Sequence, residues 1–216
     1  MQNSDRPYRY ELKYCLSPRD IEKFLSILYC HPSGFSNQFP DRVINNIYYD
    51  DISFNSCHEN LFGISDRVKI RYRWYGDIKH FSEGVLEKKI KTNALGSKAY
   101  FKLDGPQDLN SLTEQVNRLM RQSGKLFPSL QNAYTRSYFV DQSGVFRLTV
   151  DRDLSYNFPS RLLHNMQEAS YHDERCIIEI KFDVEHFEKF NSISSAFPFR
   201  VVKHSKYVSG LLALVY

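Results

Sequence analysis

The sequence predicts an α+β protein built on a closed antiparallel β-barrel of about eight strands, with helices that cover parts of its outside. Aromatic residues are abundant, with 16 Phe and 15 Tyr among 216 residues, which favours a sheet-rich fold. Segments in which charged and apolar residues alternate recur along the chain, as in strands with two unlike faces. The hydrophobic content of 42% suits one globular domain, so we expect residues 1–216 to form a single domain.

The first part of the chain predicts a strand, a helix and a second strand. Residues 8–16 form the first strand, because Arg9, Glu11 and Lys13 alternate with aromatic and leucine side chains. A helix follows from Ser17, since the next residue is a proline, which suits the first helical position, and apolar side chains then recur on one helical face. The chain then predicts a loop over 30–41, a strand over 42–51 and an irregular segment up to residue 65.

The most informative strand is the stretch RVKIRYRWYG, residues 67–76. Its strict alternation predicts one apolar face and one face that carries Arg67, Lys69, Arg71 and Arg73. Natural surface strands usually mix charges of both signs, so a row of cations is unusual. This row raises the question of what the cationic face contacts.

The rest of the chain predicts five more strands and three more helices. The strands are expected at 84–91, 97–103, 132–141, 144–156 and 175–183. The helices are expected at 108–124, at 185–193 and after a loop at 203–207. In nearly every strand a charged or polar residue occupies alternate positions, and the opposite face is apolar.

Two interpretations of the charged faces remain open from the pattern alone. In the first, the charged faces meet solvent and the apolar faces share one core. In the second, the charged faces line the bore of a barrel, which at about eight strands can enclose one ligand. A cationic bore requires an anion, and guanidinium geometry favours phosphate. Carboxylates among the cations would hold a hard divalent metal ion.

Composition narrows the classes of partner. The net charge is only +4, so the overall charge gives no reason to expect nucleic acid binding. The four cysteines, Cys15, Cys30, Cys57 and Cys176, have no CxxC spacing, which argues against a zinc site. The chain starts with polar residues and its longest apolar run is too short to cross a bilayer. We therefore expect a cytoplasmic protein with no transmembrane segment of its own, and a separate membrane partner stays open.

A series of motifs resembles a known family. In chain order they are YRYELKY, IYYDD, RVKIRYRWYG, LEKKIK, YTRSYF, FRLTVD, IIEIKF and KHSKYVSG, from Tyr8 to Gly210. Together they resemble the triphosphate tunnel metalloenzymes and, within them, the VTC domain, which is the catalytic domain of polyphosphate polymerases. The wider superfamily begins with Glu-x-Glu-x-Lys, whereas this chain has Arg9 before Glu11 and Lys13. That departure favours the polymerase branch over the hydrolases.

The resemblance implies a set of site residues. The catalytic, phosphate-binding cations would be Lys13, Arg71, Arg73, Lys89, Arg136 and Arg147. Further substrate-binding residues would be Lys98, with Lys102 as its rival, Lys203 and Lys206 in a basic loop, and the wall residues Glu11 and Glu87. Glu179 would bind the metal ion, Mn²⁺ or Mg²⁺.

Several residues stay undecided or receive no role. Lys69 suits the bore and an exposed rim equally well, and the place of Asp151 is open. Arg67, Lys88 and Lys91 are expected at the surface. No role is assigned to the histidines, His204 among them.

The resemblance implies an ATP-dependent polyphosphate polymerase. Such an enzyme transfers the γ-phosphoryl group of ATP to a growing chain of inorganic polyphosphate. Two alternatives use the same tunnel: a tripolyphosphatase or nucleoside triphosphatase with water as acceptor, and a non-catalytic polyphosphate-binding module. The sequence separates these activities poorly, because all of them need a cationic tunnel.

Overall fold

One curled antiparallel sheet contains all nine strands of the computed structural model, which describes residues 9–92, 95–121, 124–159 and 170–215. The strand order is β1-β9-β7-β6-β2-β3-β4-β5, and β8 pairs with the C-terminal part of β7. The strands are β1 (Arg9–Leu16), β2 (Ser36–Asp50), β3 (Arg67–Tyr75), β4 (Val85–Thr92), β5 (Leu95–Phe101), β6 (Phe127–Val140), β7 (Arg147–Asn157), β8 (Ser170–Asp173) and β9 (Cys176–Asp183).

Five α-helices pack against this sheet within the described residues. They are α1 (Pro18–Tyr29), α2 (Asn55–Leu61), α3 (Leu109–Leu119), α4 (Phe187–Ser194) and α5 (Lys206–Val215). Two 3-10 turns, Ile78–Glu83 and Val184–His186, precede β4 and α4. None of these helices has the length and apolar content that crossing a bilayer requires.

The sheet is an open half-barrel, which differs from the closed barrel that the sequence predicts. Strands β1 and β5 are the two edges and do not pair with each other. Side chains cross the seam instead, because Lys89 Nζ of β4 lies 3.3 Å from Glu11 Oε2 of β1. Lys89 and Lys98 are direct neighbours in the β4–β5 register.

The strand register places the charged residues on one face. Lys13 lies opposite Glu179, and Arg136 lies opposite Asp151. On the other side of the sheet, Arg71 lies opposite Glu87. Because side chains alternate between the two faces, these neighbours form one continuous polar surface, here called the inner face.

Helices cover the opposite, outer face in two places. Phe24 of α1 and Phe190 of α4 are buried with the apolar side chains of β1, β7 and β9. Leu112 and Val116 of α3 are buried against β2, β3 and β4, where Trp74 belongs to the same cluster. These contacts confirm the prediction that helices cover the apolar outside of the sheet.

Helix α5 packs on the inner face rather than the outer one. Its residues Tyr207 and Leu211 are buried against Leu130, Tyr134 and Tyr156, which point to the same side as Arg136. The approach is close: a Cβ on Gly210 would lie 2.3 Å from Tyr156 Cδ1 and 2.8 Å from Leu130 Cδ2. The apolar C-terminal run therefore fills one end of the inner face.

Three parts of the chain differ from the sequence predictions. Strand β2 begins at Ser36, inside the predicted loop, and bulges let its irregular first half pair with β6. Helix α2 lies in the segment that the sequence left irregular, and β8 was not predicted. Tyr8 of the first predicted strand and residues 122–123 of the helix predicted at 108–124 lie outside the described residues.

Candidate functional site

The inner face encloses a cavity of about 110 Å³ between the sheet and the start of α5. Its described lining contains only two carboxylates, Glu11 and Glu179, and one neutral imidazole, His204. The cationic side chains that line it are Lys13, Lys69, Arg71, Arg73, Lys89, Lys98, Arg136, Lys181 and Lys206. Nine cations around so small a space create a strongly positive potential that attracts an anion.

Arg71 and Arg73 are held in place by neighbours on β2 and β4. Glu87 Oε2 accepts from Arg71 Nε at 2.7 Å and lies 2.6 Å from Arg71 Nη2. Arg73 Nε donates to Asn46 Oδ1 at 2.8 Å, and its Nη1 lies 3.8 Å from Glu87 Oε1. Burial opposes the charged form of Glu87, but Arg71 and Arg73 outweigh it and lower its pKa to about 2. Glu87 is thus a fixed anion that orients two guanidinium groups.

A cluster of alternating charges joins β1 and β9. Lys13 Nζ lies 3.3 Å from Glu11 Oε1 and 3.1 Å from Glu179 Oε1. Lys181 Nζ donates to Glu179 Oε2 at 2.7 Å. Burial opposes ionisation of Glu179, yet Lys13 and Lys181 hold its pKa well below the usual range. Both carboxylates therefore stay ionised at neutral pH.

Arg136 and Lys206 share one buried carboxylate, Asp151. Arg136 donates to both Asp151 oxygens, at 2.5 and 2.6 Å, and Lys206 Nζ donates to Asp151 Oδ2 at 2.5 Å. The ring of Tyr134 lies beside both cations, with Lys206 Nζ 4.8 Å from its centroid. Asp151 therefore positions two cations, and this bidentate pair with Arg136 leaves it poorly placed to bind a metal ion.

The loop before α5 crosses one end of the cavity. Lys13 Nζ donates to the carbonyl oxygen of His204 at 3.1 Å, and Lys69 Nζ donates to Ser205 Oγ at 2.8 Å. These bonds come from β1 and β3, on two sides of the cavity. His204 is largely buried, and burial together with Lys206 lowers its pKa to about 4. Its imidazole is therefore neutral, and its Nδ1 has no hydrogen-bond partner within the described structure.

Two lysines of the cavity have lowered pKa values, because their charged forms are destabilised. Burial and then the neighbouring Lys13 and Lys89 lower the pKa of Lys69 to about 7. Burial and then Arg71 lower the pKa of Lys98 to about 7. An anion placed between these groups would relieve the repulsion and raise both pKa values.

The structure brings most of the sequence-predicted residues together. The sequence-predicted residues that line the cavity are Lys13, Arg71, Arg73, Lys89, Lys98, Arg136, Lys206, Glu11 and Glu179. Glu87 lies directly behind Arg71. Lys98 lines the cavity whereas its rival Lys102 is exposed.

Besides Glu87, three sequence-predicted residues lie outside the cavity lining. Arg147 is exposed at the start of β7, and Lys203 is exposed in the loop before α5. Arg9 lies at the first described position of β1, opposite Asp183. Arg147 and Arg9 are on the inner-face side of their strands, which places them beyond the end of the cavity away from α5.

The cavity also contains residues that the sequence interpretation did not select. Lys181 follows Glu179 by two positions on one strand, so strand alternation alone could have identified it. The same alternation assigns Lys69, left undecided above, to the cavity with Arg71. Tyr48, Tyr134, Tyr207, His204 and Ser205 gave no such signal, because their roles depend on how α5 and its loop pack on the sheet.

The carboxylates of the cavity suit a metal ion that is partly bound by phosphate. Within the described residues, no group of three or more His, Cys, Asp or Glu side chains could hold a metal ion. Glu179 and Glu11 offer hard oxygen ligands, and Lys13 lies between them. Mg²⁺ is often bound by one or two carboxylates, with phosphate oxygens and water as its other ligands. The donor set therefore fits a divalent ion that binds together with a phosphate chain.

Comparison with solved structures identifies similar folds. A proposed adenylate cyclase from Vibrio parahaemolyticus is 12% identical, with a TM-score of 0.55 over 94% of this chain and 98% of that one. A second proposed adenylate cyclase, from Bacillus halodurans, is 14% identical, with a TM-score of 0.53 over 92% and 94%. A chain of the Schizosaccharomyces pombe Mediator head module is 12% identical, with a TM-score of 0.53 over 90% and 97%. At these identities the likeness concerns the fold alone.

Comparison with protein families is more specific. No curated protein sequence matches this chain significantly. The VTC domain profile matches residues 8–215, which is nearly the whole sequence. The chain therefore belongs to the VTC domain family.

Proposed function

We propose that this protein is a metal-dependent polyphosphate polymerase that uses ATP. The observation that carries the proposal is the row of nine cations around one cavity whose described lining has only two carboxylates. Such an excess of positive charge matches a chain of phosphates, each of which carries about one negative charge. Membership of the VTC domain family supports the same activity.

The reaction is a transfer between phosphates. A terminal oxygen of the acceptor polyphosphate attacks the γ-phosphorus of ATP, the bond from that phosphorus to the β,γ-bridging oxygen breaks, and ADP leaves with that oxygen. No proton has to move, since the attacking oxygen is already ionised. Catalysis then requires in-line positioning and stabilisation of charge on the transferred group. Arg71, Arg73 and Arg136 are buried or nearly so and fixed by their partners, which suits them to both tasks.

The state of the carboxylates favours a phosphate acceptor over water. A hydrolase benefits from a general base that takes a proton from the attacking water. Here Glu11, Glu87, Asp151 and Glu179 are each bound to at least one Lys or Arg, and their pKa values are lowered despite burial. His204 has a pKa near 4. All five groups are therefore weak bases, which is no disadvantage when the acceptor is an ionised phosphate.

A divalent ion completes the proposed site. Glu179, with Glu11 beside it, would hold Mn²⁺ or Mg²⁺. The ion would neutralise negative charge on the phosphate oxygens. The basic side chains would bind and align the phosphate chain with or without it.

Product analysis tests this function. The protein is incubated with ATP and Mn²⁺, ADP release is measured, and phosphate chain length is resolved on a gel. We expect polyphosphate ladders that lengthen with time and one ADP for each phosphate added. Lys13→Ala should abolish the ladder, while Lys102→Ala, at an exposed lysine outside the cavity, should leave it intact. Orthophosphate without polymer would indicate the hydrolase, and binding without ADP release would indicate the non-catalytic module.

A further inference from the structure

A second cleft, of about 380 Å³, lies at the end of the sheet away from α5. Arg42 of β2, Tyr75 at the end of β3, and His80 and Glu83 of the following 3-10 turn line it. Its size falls in the range of small-molecule sites. We call it the mouth cleft, and neither the metal nor the transfer step described above uses it.

The mouth cleft lies beyond one end of the cavity along β3. After Arg67, the inner-face residues of this strand are, in order, Lys69, Arg71, Arg73 and Tyr75. Lys69 contacts Ser205 of the loop that crosses one end of the cavity, and Tyr75 lines the mouth cleft at the other end. Alternate residues on a strand are about 7 Å apart, so the cleft begins one step beyond Arg73.

Arg42 lines the mouth cleft and is the strand neighbour of a residue of the cavity. It lies opposite Arg136 of the cavity in the β2–β6 register. Its guanidinium carbon is 5.4 Å from the ring centroid of Phe39 and 5.8 Å from that of Tyr138, and no carboxylate lies within 4.0 Å of it in the described structure. An exposed arginine that aromatic rings hold in place, without an acidic partner, can bind a further phosphate beyond Arg136.

The other side chains of the mouth cleft do not suit a phosphate. Glu83 is largely exposed and lies 3.1 Å from His80 Nδ1, and Asp41 also lines the cleft while bound to Arg152. Carboxylates repel phosphate but accept hydrogen bonds from amino and hydroxyl groups. Tyr75 is 48% exposed and makes no ring contact with another aromatic side chain of the described structure, so it is available for stacking. A nucleoside offers both an aromatic base and such donor groups.

We infer that the mouth cleft binds the nucleoside of the phosphoryl donor, with the base against Tyr75 and the α-phosphate near Arg42. The inference rests on the proposed function, because it takes ATP as the donor. It also assigns an orientation to the bound nucleotide. The nucleotide enters at the end of the cavity away from α5, and its terminal phosphates reach toward Lys13 and Lys69.

Binding measurements test this inference without any turnover. Affinities are measured by calorimetry for the β,γ-imido analogue of ATP and for tripolyphosphate, both with Mg²⁺. Tyr75→Ala should weaken binding of the nucleotide analogue by about fivefold or more, the loss typical of one base–aromatic stack. Binding of tripolyphosphate should not change. Tyr75→Phe should restore the analogue's affinity, and Glu83→Gln should weaken the analogue alone.

The matched control is Tyr100→Ala. Tyr100 of β5 is 50% exposed and pairs with Glu87 of β4, two strands away from Tyr75. This variant should bind both ligands as the wild type does. Equal weakening of both ligands by Tyr75→Ala, or a loss only in the Tyr100 variant, would overturn the inference. Because the readout is binding, absence of polymerase activity would contradict the proposed function and leave this result intact.

Discussion

Three of the nine cations of the cavity converge on one carboxylate, Glu179. Lys13, Lys181 and Arg136 all have a nitrogen within 4 Å of it, at 3.1, 2.7 and 3.9 Å. It is buried, so its charge is poorly screened by solvent. A phosphate chain in the cavity would compete with Glu179 for these cations, and a divalent ion would reduce that competition by binding both anions.

Glu179→Gln tests the role of this carboxylate. The change keeps the shape of the side chain and removes the anionic ligand that a hard cation prefers. We expect tripolyphosphate affinity without metal to stay equal or rise, because one competing anion is lost, and its enhancement by Mn²⁺ to fall about tenfold, the effect usual for losing one group that supports a metal site. Calorimetry with and without Mn²⁺ measures both effects.

The control for that experiment is Glu87→Gln. It removes one negative charge from the same inner face, but from a residue bound to Arg71 rather than to Lys13. Enhancement by Mn²⁺ should persist in this variant. A Glu179→Gln protein with an unchanged response to Mn²⁺ would remove Glu179 from the metal site.

Lys69 and Lys98 should take up protons when a phosphate chain binds. Their pKa values of about 7 mean that a large share of each is neutral at pH 8 in the free protein. An anion raises these pKa values, so binding of tripolyphosphate at pH 8 should absorb protons and weaken as the pH rises above 7. Calorimetry at pH 8 in two buffers of different ionisation enthalpy gives the number of protons absorbed.

A double variant, Lys69→Gln with Lys98→Gln, isolates this effect. It should absorb fewer protons than the wild type, because the titration of tripolyphosphate itself is common to both proteins. Lys102→Gln, which changes an exposed lysine outside the cavity, should behave as the wild type does. Equal proton uptake in the double variant and the wild type would show that these lysines do not titrate in response to the ligand.

Strands could be predicted better than the segments that join them. The alternation in β1, β3, β4 and β9 depends only on local sequence, and it identified the face that carries Lys13, Arg71 and Glu179. Helix α2 is seven residues long and its N-cap residue is Phe54, which cannot cap with its side chain, so its local signal is weak. It is stabilised by contacts with β2, β3 and α5. The side of the sheet on which α5 packs is likewise a tertiary property, and His204 and Ser205 reach the cavity only through it.

Gly210→Ala tests the packing of α5 against the sheet. Alanine is the better helix former by about 1 kcal/mol, so helix propensity alone predicts a gain in stability. However, the new methyl group would overlap the ring of Tyr156 and the side chain of Leu130, both of which are buried. We expect the clash to dominate and to lower the free energy of unfolding by about 1–3 kcal/mol.

Chemical denaturation measures the change. Leu212→Ala, at a 39% exposed position of the same helix, is the reference for a substitution that meets no such clash. Its effect should be clearly smaller. A Gly210→Ala protein as stable as the wild type would mean that α5 does not approach the sheet this closely.

The molecule as a whole has a modest charge of +4, yet its cations are concentrated on one face. Overall composition therefore gave no sign of an anionic ligand. The order of residues within the strands was the feature that indicated one. Whether the sheet closes into a barrel could not be predicted from the sequence. Closure requires β1 to pair with β5, and these two edge strands are far apart in sequence. In the open sheet, side chains such as Glu11 and Lys89 bridge the seam, and cations repel one another around the cavity.

The proposed function requires that these cations form one continuous site for a phosphate chain. The direct measurement is a thermal-shift series over phosphate chain length at constant ionic strength. A ligand that binds only the folded state stabilises it by roughly 2.7 kcal/mol at a hundredfold excess over its dissociation constant, so we expect tripolyphosphate to raise Tm clearly. Orthophosphate reaches few of the nine cations and should raise Tm much less. Equal shifts by orthophosphate and tripolyphosphate would contradict a continuous phosphate-binding cavity and, with it, the function proposed here.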